Sequence, residues 1–255
     1  MKRKRISRIL QLLLTASLVM GLAGILQTQQ AERRCAAGYT AAAQLAGLLP
    51  QETPTTGSAD NDLSPQQPPD NIDLSALQAV NPDVTAWICI PGTVLSYPLM
   101  QGRDNDYYLN HTWQKEENPA GAIFLDYRCN ADGQDFNTLV YGHRMRNDSM
   151  FGVLKQYRDP SFLSSAPSIY IIRTSGTYRY DIFSACEASV NEPLFTPGLQ
   201  QETQKQEVLR FSQEHSFPDS RIVPTTEDHI LTLVTCTGFG YDSRWIVQAA
   251  LSAAL

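Results

Sequence analysis

The chain has 255 residues and a formal net charge of −6 at pH 7. Five of its 20 basic side chains lie at the start, at Lys2, Arg3, Lys4, Arg5 and Arg8, so the remainder of the chain is more acidic than the total indicates. Acidic surfaces repel phosphate backbones. Because the sequence also contains no Gly-rich phosphate loop, the protein is predicted not to bind nucleic acid.

The basic start is followed by an apolar run over residues 9–26. A helix of about 18 residues spans about 27 Å, close to the roughly 30 Å hydrocarbon core of a bilayer. Positive charge ahead of such a run favours a cytoplasmic N terminus. The sequence therefore predicts that residues 1–30 are a basic tail and a single-pass transmembrane signal anchor, with the rest of the chain extracytoplasmic. A cleaved signal peptide is the alternative, but no clear A-x-A site follows the run.

Residues 31–70 are predicted to form a stalk and a linker. Residues 31–49 are rich in Ala, Leu and Gln with a weak helical stripe, whereas residues 50–70 shift to Pro, Gln, Thr, Ser and Asp. The second composition cannot bury a hydrophobic core, so we expect a flexible spacer there. The remaining segment, residues 71–255, has the length of one folded domain.

The pattern of this domain indicates many short strands and few helices. Strands are predicted at residues 85–90, 94–100, 122–125, 138–141, 168–174, 177–187, 230–235 and 245–247. Helices are predicted at residues 71–80, 151–157 and 198–215, with a helical turn at 106–109. A mainly β domain of this kind closes most economically into a barrel.

Three side chains that can take part in catalysis lie at the ends of predicted strands, namely His143, Cys236 and Arg244. A thiol at a strand end is held by the backbone while its sulfur stays open to substrate. An imidazole can carry a proton, and a guanidinium can hold a carbonyl or its oxyanion. The residues alone leave a second interpretation open, in which Cys236 is a core thiol, His143 caps a strand and Arg244 is a surface charge.

The other cysteines are Cys35, Cys89, Cys129 and Cys186, and an odd, widely spaced total of five is unlike a disulfide framework. Cys89 and Cys186 lie in strand-like segments and are predicted to be buried thiols. The histidines show no metal-ligand spacing. No metal and no cofactor is predicted.

Several stretches together carry a resemblance to a known family. The run TLVTC is followed by an Arg eight positions after its Cys, with YGH upstream. This pattern resembles the sortases, membrane-anchored cysteine transpeptidases of Gram-positive bacteria. The stretches NPDVTAWICIPGTVLSYPLMQGRDNDYYLNH, GAIFLDYR, NTLVYGHRMRNDSMFGVLKQYRDPSF and DHILTLVTC resemble class B sortases in particular, over residues 72–251.

The resemblance implies a fold and a mechanism. The fold would be a closed eight-stranded β-barrel with short peripheral helices, including an N-terminal helix and one in the loop before the cysteine strand, where residues 198–215 are predicted to be helical. In the implied mechanism, Cys236 attacks a peptide carbonyl to form a thioester. His143 protonates the departing amine and deprotonates the incoming one, and Arg244 orients the peptide and stabilises the oxyanion.

The resemblance also implies the partners. Substrates would be secreted proteins with a C-terminal sorting signal of the NP-x-T-x or LP-x-T-x kind. The acceptor would be an amine of a peptidoglycan precursor or a pilin lysine, and the N-terminal helix would contact the membrane. Tyr141, Ser149 and Thr235 are expected to lie in the peptide cleft. The loop after the cysteine, TGFGYDS, is short and Gly-rich compared with many class B members.

Other functional classes fit less well. An L,D-transpeptidase places its Arg almost directly after its Cys, whereas here eight positions separate Cys236 from Arg244. A papain-like hydrolase places its Cys before its His, the reverse of the order here. A non-catalytic barrel that binds cell-wall peptides stays open as the alternative, although it would not require all three side chains.

Overall fold

The computed structural model describes residues 2–48, 67–69, 71–236 and 242–255, and of residues 2–16 and Cys236 it describes the backbone alone. The helices are α1 (Lys2–Leu45), α2 (Leu74–Val80), α3 (Pro160–Ser165) and α4 (Glu202–His215). The strands are β1 (Val84–Cys89), β2 (Ser96–Met100), β3 (Ile123–Leu125), β4 (Asn137–Tyr141), β5 (Ser168–Arg173), β6 (Gly176–Ser189), β7 (Ile230–Cys236) and β8 (Ser243–Ala254). Short 3₁₀ helices lie at Tyr107–Leu109, Gly152–Arg158 and Pro193–Phe195.

The eight strands close into a barrel in the order β1-β2-β3-β4-β7-β8-β6-β5, with β5 returning to β1. Strand pairs β2–β3 and β4–β7 are parallel, and the other neighbours are antiparallel. Closure gives each of these described strands a partner on both sides. The predicted mainly β, closed eight-stranded barrel with peripheral helices is confirmed.

The barrel interior is filled by the inward-facing members of the strands. Val140, Leu233 and Val247 lie at matched positions of three neighbouring strands, and each is completely buried. Trp245 closes one end of the barrel, where its indole Nε1 donates to the carbonyl of Leu154 at 2.7 Å. The 3₁₀ helix Gly152–Arg158 is therefore fixed across that end.

Helices cover two outer faces of the barrel. Ala42 in the C-terminal half of α1 and Ala46 directly after the helix are buried in an apolar cluster that also includes Leu77 of α2. On another face, α4 buries Val208 and Leu209 in a cluster with residues of β6, β7 and β8. Helix α4 lies in the loop before the cysteine strand, as predicted.

One expectation from the sequence needs correction. In the described part of the chain, no helix is both long and apolar enough to cross a membrane. The predicted localisation, a single-pass membrane protein with a cytoplasmic N terminus, is therefore wrong. The predicted divisions after residues 30 and 70 stay predictions, and most of the linker lies outside the described residues.

Candidate active site

The three candidate side chains belong to three neighbouring strands of the barrel. Strands β4 and β7 run parallel with Tyr141 opposite Val234, and the pairing continues as the amide of Gly142 donates to the carbonyl of Val234 at 3.2 Å. His143 follows Tyr141 by two residues, as Cys236 follows Val234. The two residues therefore lie level with each other at the same end of adjacent strands.

Arg244 reaches that end from the other side of β7. Strands β7 and β8 are antiparallel, and Cys236 is the direct partner of Arg244 in their register. The guanidinium is half-buried and its Nη1 donates to the carbonyl of Ser243 at 2.9 Å. The amide of Val190 donates to the carbonyl of Asp242 at 2.9 Å, which ties the start of β8 to the end of β6.

The imidazole of His143 is oriented by a backbone carbonyl. Its Nε2 lies 2.7 Å from the carbonyl oxygen of Leu109. A carbonyl only accepts hydrogen bonds, so Nε2 carries the proton of the neutral ring. No described residue supplies a hydrogen-bond partner for Nδ1, which makes Nδ1 the nitrogen available for proton transfer.

The local sequence around His143 allows this arrangement because residue 142 is a glycine. A Cβ at Gly142 would lie 2.7 Å from the ring of Phe151, which is completely buried. The amide of Phe151 in turn donates to the carbonyl of His143 at 3.0 Å. The turn after β4 is therefore packed directly against Phe151, which immediately precedes the 3₁₀ helix Gly152–Arg158.

Tyr141 is half-buried and joins a polar cluster beside the strand end. Its hydroxyl donates to Oδ2 of Asp126 at 3.1 Å, and its ring lies 5.5 Å from that of Phe124. Burial, followed by the negative charge of Asp126, raises the pKa of the Tyr141 phenol. Burial also acts to raise the pKa of the Asp126 carboxyl, but hydrogen bonds from Arg128 and Asn105 outweigh it and hold that pKa below its usual value.

The other two expected cleft residues, Thr235 and Ser149, lie in different surroundings from each other. Thr235 is buried, 2% exposed, and within the described residues its Oγ1 has no hydrogen-bond partner. Ser149 donates to Oδ1 of Asn147 at 2.7 Å. It lines a cavity of about 300 Å³ between the segment after His143 and the α1 residue Tyr39.

The remaining thiols are unlike a nucleophile. Cys35, Cys89, Cys129 and Cys186 are all buried and unpaired, as predicted for Cys89 and Cys186. Burial raises the pKa of Cys35 to about 11 and that of each of the other three to about 12. They are therefore protonated at neutral pH, and the thiolate is the reactive form.

Comparison with known proteins decides the family. A family model for the Sortase domain matches residues 88–252. The chain is 34% identical over 181 residues to sortase B of Listeria monocytogenes, across 70% of this chain and 74% of that protein. The chain belongs to the sortase family, in its class B. It is also 28% identical over 236 residues to sortase B of Staphylococcus aureus, across 92% and 91% of the two chains.

Solved class B sortases share the fold of this sortase. A Staphylococcus aureus sortase B–substrate complex superposes with a TM-score of 0.66 at 30% identity, over 70% of this chain and 83% of that one. Sortase B of Bacillus anthracis in complex with AAEK2 gives 0.71 at 30% identity, over 88% and 97%. A sortase B complexed with triglycine gives 0.66 at 30% identity, over 70% and 85%. Sortases are cysteine transpeptidases, and this chain is one.

Sequence reasoning missed two groups at the site of this sortase. One is the backbone carbonyl of Leu109, for which a side-chain pattern gives no signal. The other is the buried carboxylate of Asp126. A signal for it was present in GAIFLDYR, where an Asp directly follows an apolar strand and an Arg comes two residues later.

Proposed function

We propose that this sortase cleaves a C-terminal sorting motif of secreted proteins and transfers the new acyl end to an amine of a cell-wall precursor or a pilin lysine. Cys236 is the nucleophile, His143 the general acid and base, and Arg244 the electrostatic partner, within a catalytic domain of residues 71–255. The observation that carries the proposal is the register of β4, β7 and β8, whose matched ends carry all three residues.

The first half-reaction forms a thioester. The Cys236 thiolate attacks the carbonyl carbon of the scissile peptide bond, and a tetrahedral intermediate with a negative oxygen results. The carbon–nitrogen bond then breaks. In the reactive form Nδ1 of His143 has taken the proton of the Cys236 thiol, which gives a thiolate and an imidazolium. The leaving amine takes this proton from Nδ1, because Nε2 is engaged with the carbonyl of Leu109, and the ring returns to its neutral form.

The second half-reaction releases the enzyme. The acceptor amine attacks the thioester and gives up a proton to Nδ1 of His143. The carbon–sulfur bond breaks, the Cys236 thiolate returns, and a new amide joins the acyl group to the acceptor. The triglycine complex of a related sortase B supports an amine acceptor for this chain as well.

Arg244 acts by charge in both half-reactions. A guanidinium is permanently positive and offers parallel N–H donors in a planar fork. As the cross-strand partner of Cys236, it favours the thiolate and stabilises the negative oxygen of each tetrahedral intermediate. The substrate-complex structure of the Staphylococcus aureus sortase B supports a peptide substrate. Tyr141, Ser149 and Thr235 remain proposed cleft residues.

The test is mass spectrometry of the full chain incubated with a panel of sorting-motif peptides, followed by addition of an amine acceptor. We expect an acyl adduct on Cys236 that disappears when the acceptor is added. Cys236→Ala removes the adduct, whereas the matched variant Cys186→Ala, which alters a buried thiol, retains it. Absence of an adduct with every peptide, while Cys236 still reacts with an alkylating agent, would favour the non-catalytic peptide-binding barrel.

A further inference from the structure

A buried carboxylate next to the site, that of Asp126, accepts more hydrogen bonds than a single Arg–carboxylate ion pair would supply. The Asp126 side chain has no exposed surface. It accepts from Nε and Nη2 of Arg128 at 2.8 and 2.7 Å, from Nδ2 of Asn105 at 2.9 Å and from the hydroxyl of Tyr141 at 3.1 Å. Three separate segments of the chain therefore converge on one carboxylate.

Two of those segments are the ones that support His143. Tyr141 ends β4, two residues before His143. Asn105 lies four residues before Leu109, whose carbonyl accepts the hydrogen bond from Nε2 of His143 at 2.7 Å. Asp126 thus joins the strand that carries the imidazole to the segment that carries its hydrogen-bond acceptor.

Backbone contacts make this connection stiff. The amide of Asp126 donates to the carbonyl of Leu139 in β4 at 2.9 Å. The amide of Tyr127 donates to Oδ1 of Asn105 at 3.0 Å, so both ends of the Asn105 amide are held. A change at the carboxylate is therefore transmitted to both supports of the imidazole.

We propose that Asp126 is a positioning residue for transpeptidation, because its bonds to Asn105 and Tyr141 hold the Leu109 carbonyl against Nε2 of His143. This contact keeps the proton of the neutral ring on Nε2 and leaves Nδ1 for proton exchange with the amines. The proposal rests on the proposed role of His143. It assigns Asp126 no contact with substrate.

The chain offers a matched control for a purely structural ion pair. Asp181 on β6 accepts from Nε of Arg179 at 2.7 Å and from the hydroxyl of Ser168 at 2.7 Å. Its partner across the sheet is Ala250, six residues along β8 from Arg244. Asp181→Asn therefore weakens an Arg pair and a hydroxyl bond of a carboxylate that is 22% exposed, without touching a support of His143.

The histidines supply a readout that needs no substrate. His111, His215 and His229 each direct Nδ1 at a carbonyl oxygen, at 2.8, 2.9 and 3.3 Å. Their neutral rings are thus protonated on Nδ1, whereas His143 is protonated on Nε2. Nitrogen-15 NMR of histidine-labelled protein above neutral pH separates the two tautomers, so His143 is identified by its tautomer.

The experiment compares the wild-type chain with Asp126→Asn and Asp181→Asn, by NMR and by kcat and KM for transpeptidation. For Asp126→Asn we expect a mixed tautomer signal from His143, a kcat lower by about tenfold or more and a KM changed by less than about threefold, because misplacing a catalytic group lowers the rate of the chemical step. Asp181→Asn is expected to keep the wild-type tautomer and a kcat within about twofold of wild type.

If Asp126→Asn does not fold, Asn105→Ala replaces it, because this variant removes one bond to the carboxylate and leaves the Arg128 pair intact. A folded variant with the wild-type His143 spectrum and wild-type kcat would overturn the proposal. Loss of activity with an unchanged His143 spectrum would overturn it too. An inactive wild-type chain would instead refute the proposed function, and the NMR comparison would still decide whether Asp126 orients the imidazole.

Discussion

Replacement of Gly142 by alanine tests whether packing behind the site sets the position of His143. The new Cβ would lie 2.7 Å from Cδ2 and 2.8 Å from Cγ of Phe151, whereas ordinary contact begins at 3.4 Å. Since Phe151 is completely buried, it cannot swing away, and the backbone must open by about 0.7 Å. We expect a loss of stability of about 1–3 kcal/mol from overpacking. A displacement approaching 1 Å near a catalytic group lowers kcat by at least about tenfold.

The assay measures the melting temperature and the transpeptidation kcat of Gly142→Ala beside two comparison variants. Gly24→Ala in α1 meets no atom within 4 Å, so it should keep the wild-type rate. Adding Phe151→Leu to Gly142→Ala opens room for the new methyl group and should restore part of the rate. A folded Gly142→Ala with wild-type kcat and melting temperature would refute the reasoning that this contact positions His143.

Three further predictions follow from the described contacts. Asn137→Ala removes the donors that bind the carbonyls of Leu194 and Thr196, each at 2.9 Å. Because one buried and one partly buried acceptor lose their partner, urea unfolding should show a loss of about 1–3 kcal/mol, and an unchanged free energy of unfolding would contradict this. The pKa of Asp126 is lowered in the folded state, so its contribution to stability is present above about pH 4 and is lost as pH falls through the folded pKa. The free energy of unfolding should therefore fall more steeply on acidification for wild type than for Asp126→Asn. Parallel curves for the two proteins would argue against this contribution. Brief alkylation of the native chain at neutral pH should label Cys236 alone, because burial raises the pKa of each other cysteine. Equal labelling of a second cysteine, found by peptide mapping, would contradict this prediction.

The strands that carry the site were predictable because their signals are local. The predicted strand 230–235 corresponds to β7, and the predicted strand 138–141 to β4, since both are short apolar runs that end at a polar side chain. Strand β8 was predicted over three residues but extends over twelve, Ser243–Ala254. After Val247 the sequence turns to Gln, Ala and Ser, which have weak strand signals. Gln248 is nevertheless fully buried and donates to Thr232 Oγ1 at 3.1 Å.

The supports of the site were not predictable in the same way. The carboxylate of Asp126 is bonded by residues 21 positions before it and 15 after it, and no local pattern marks such long-range partners. The acceptor for His143 is a backbone carbonyl, which every residue possesses.

The arrangement of β4, β7 and β8 explains how three distant residues reach one end of the barrel. A parallel pair aligns the C-terminal ends of both strands, so β4 and β7 present His143 and Cys236 together. The antiparallel neighbour β8 must begin at the end where β7 finishes, so the short connection after Cys236 returns directly to Arg244. A parallel pair also requires a long crossover, and the 88 residues from 142 to 229 supply it. That crossover contains β5 and β6, which complete the barrel, and α4, which covers it. The pairing that assembles the site therefore also requires the chain length that builds much of the fold.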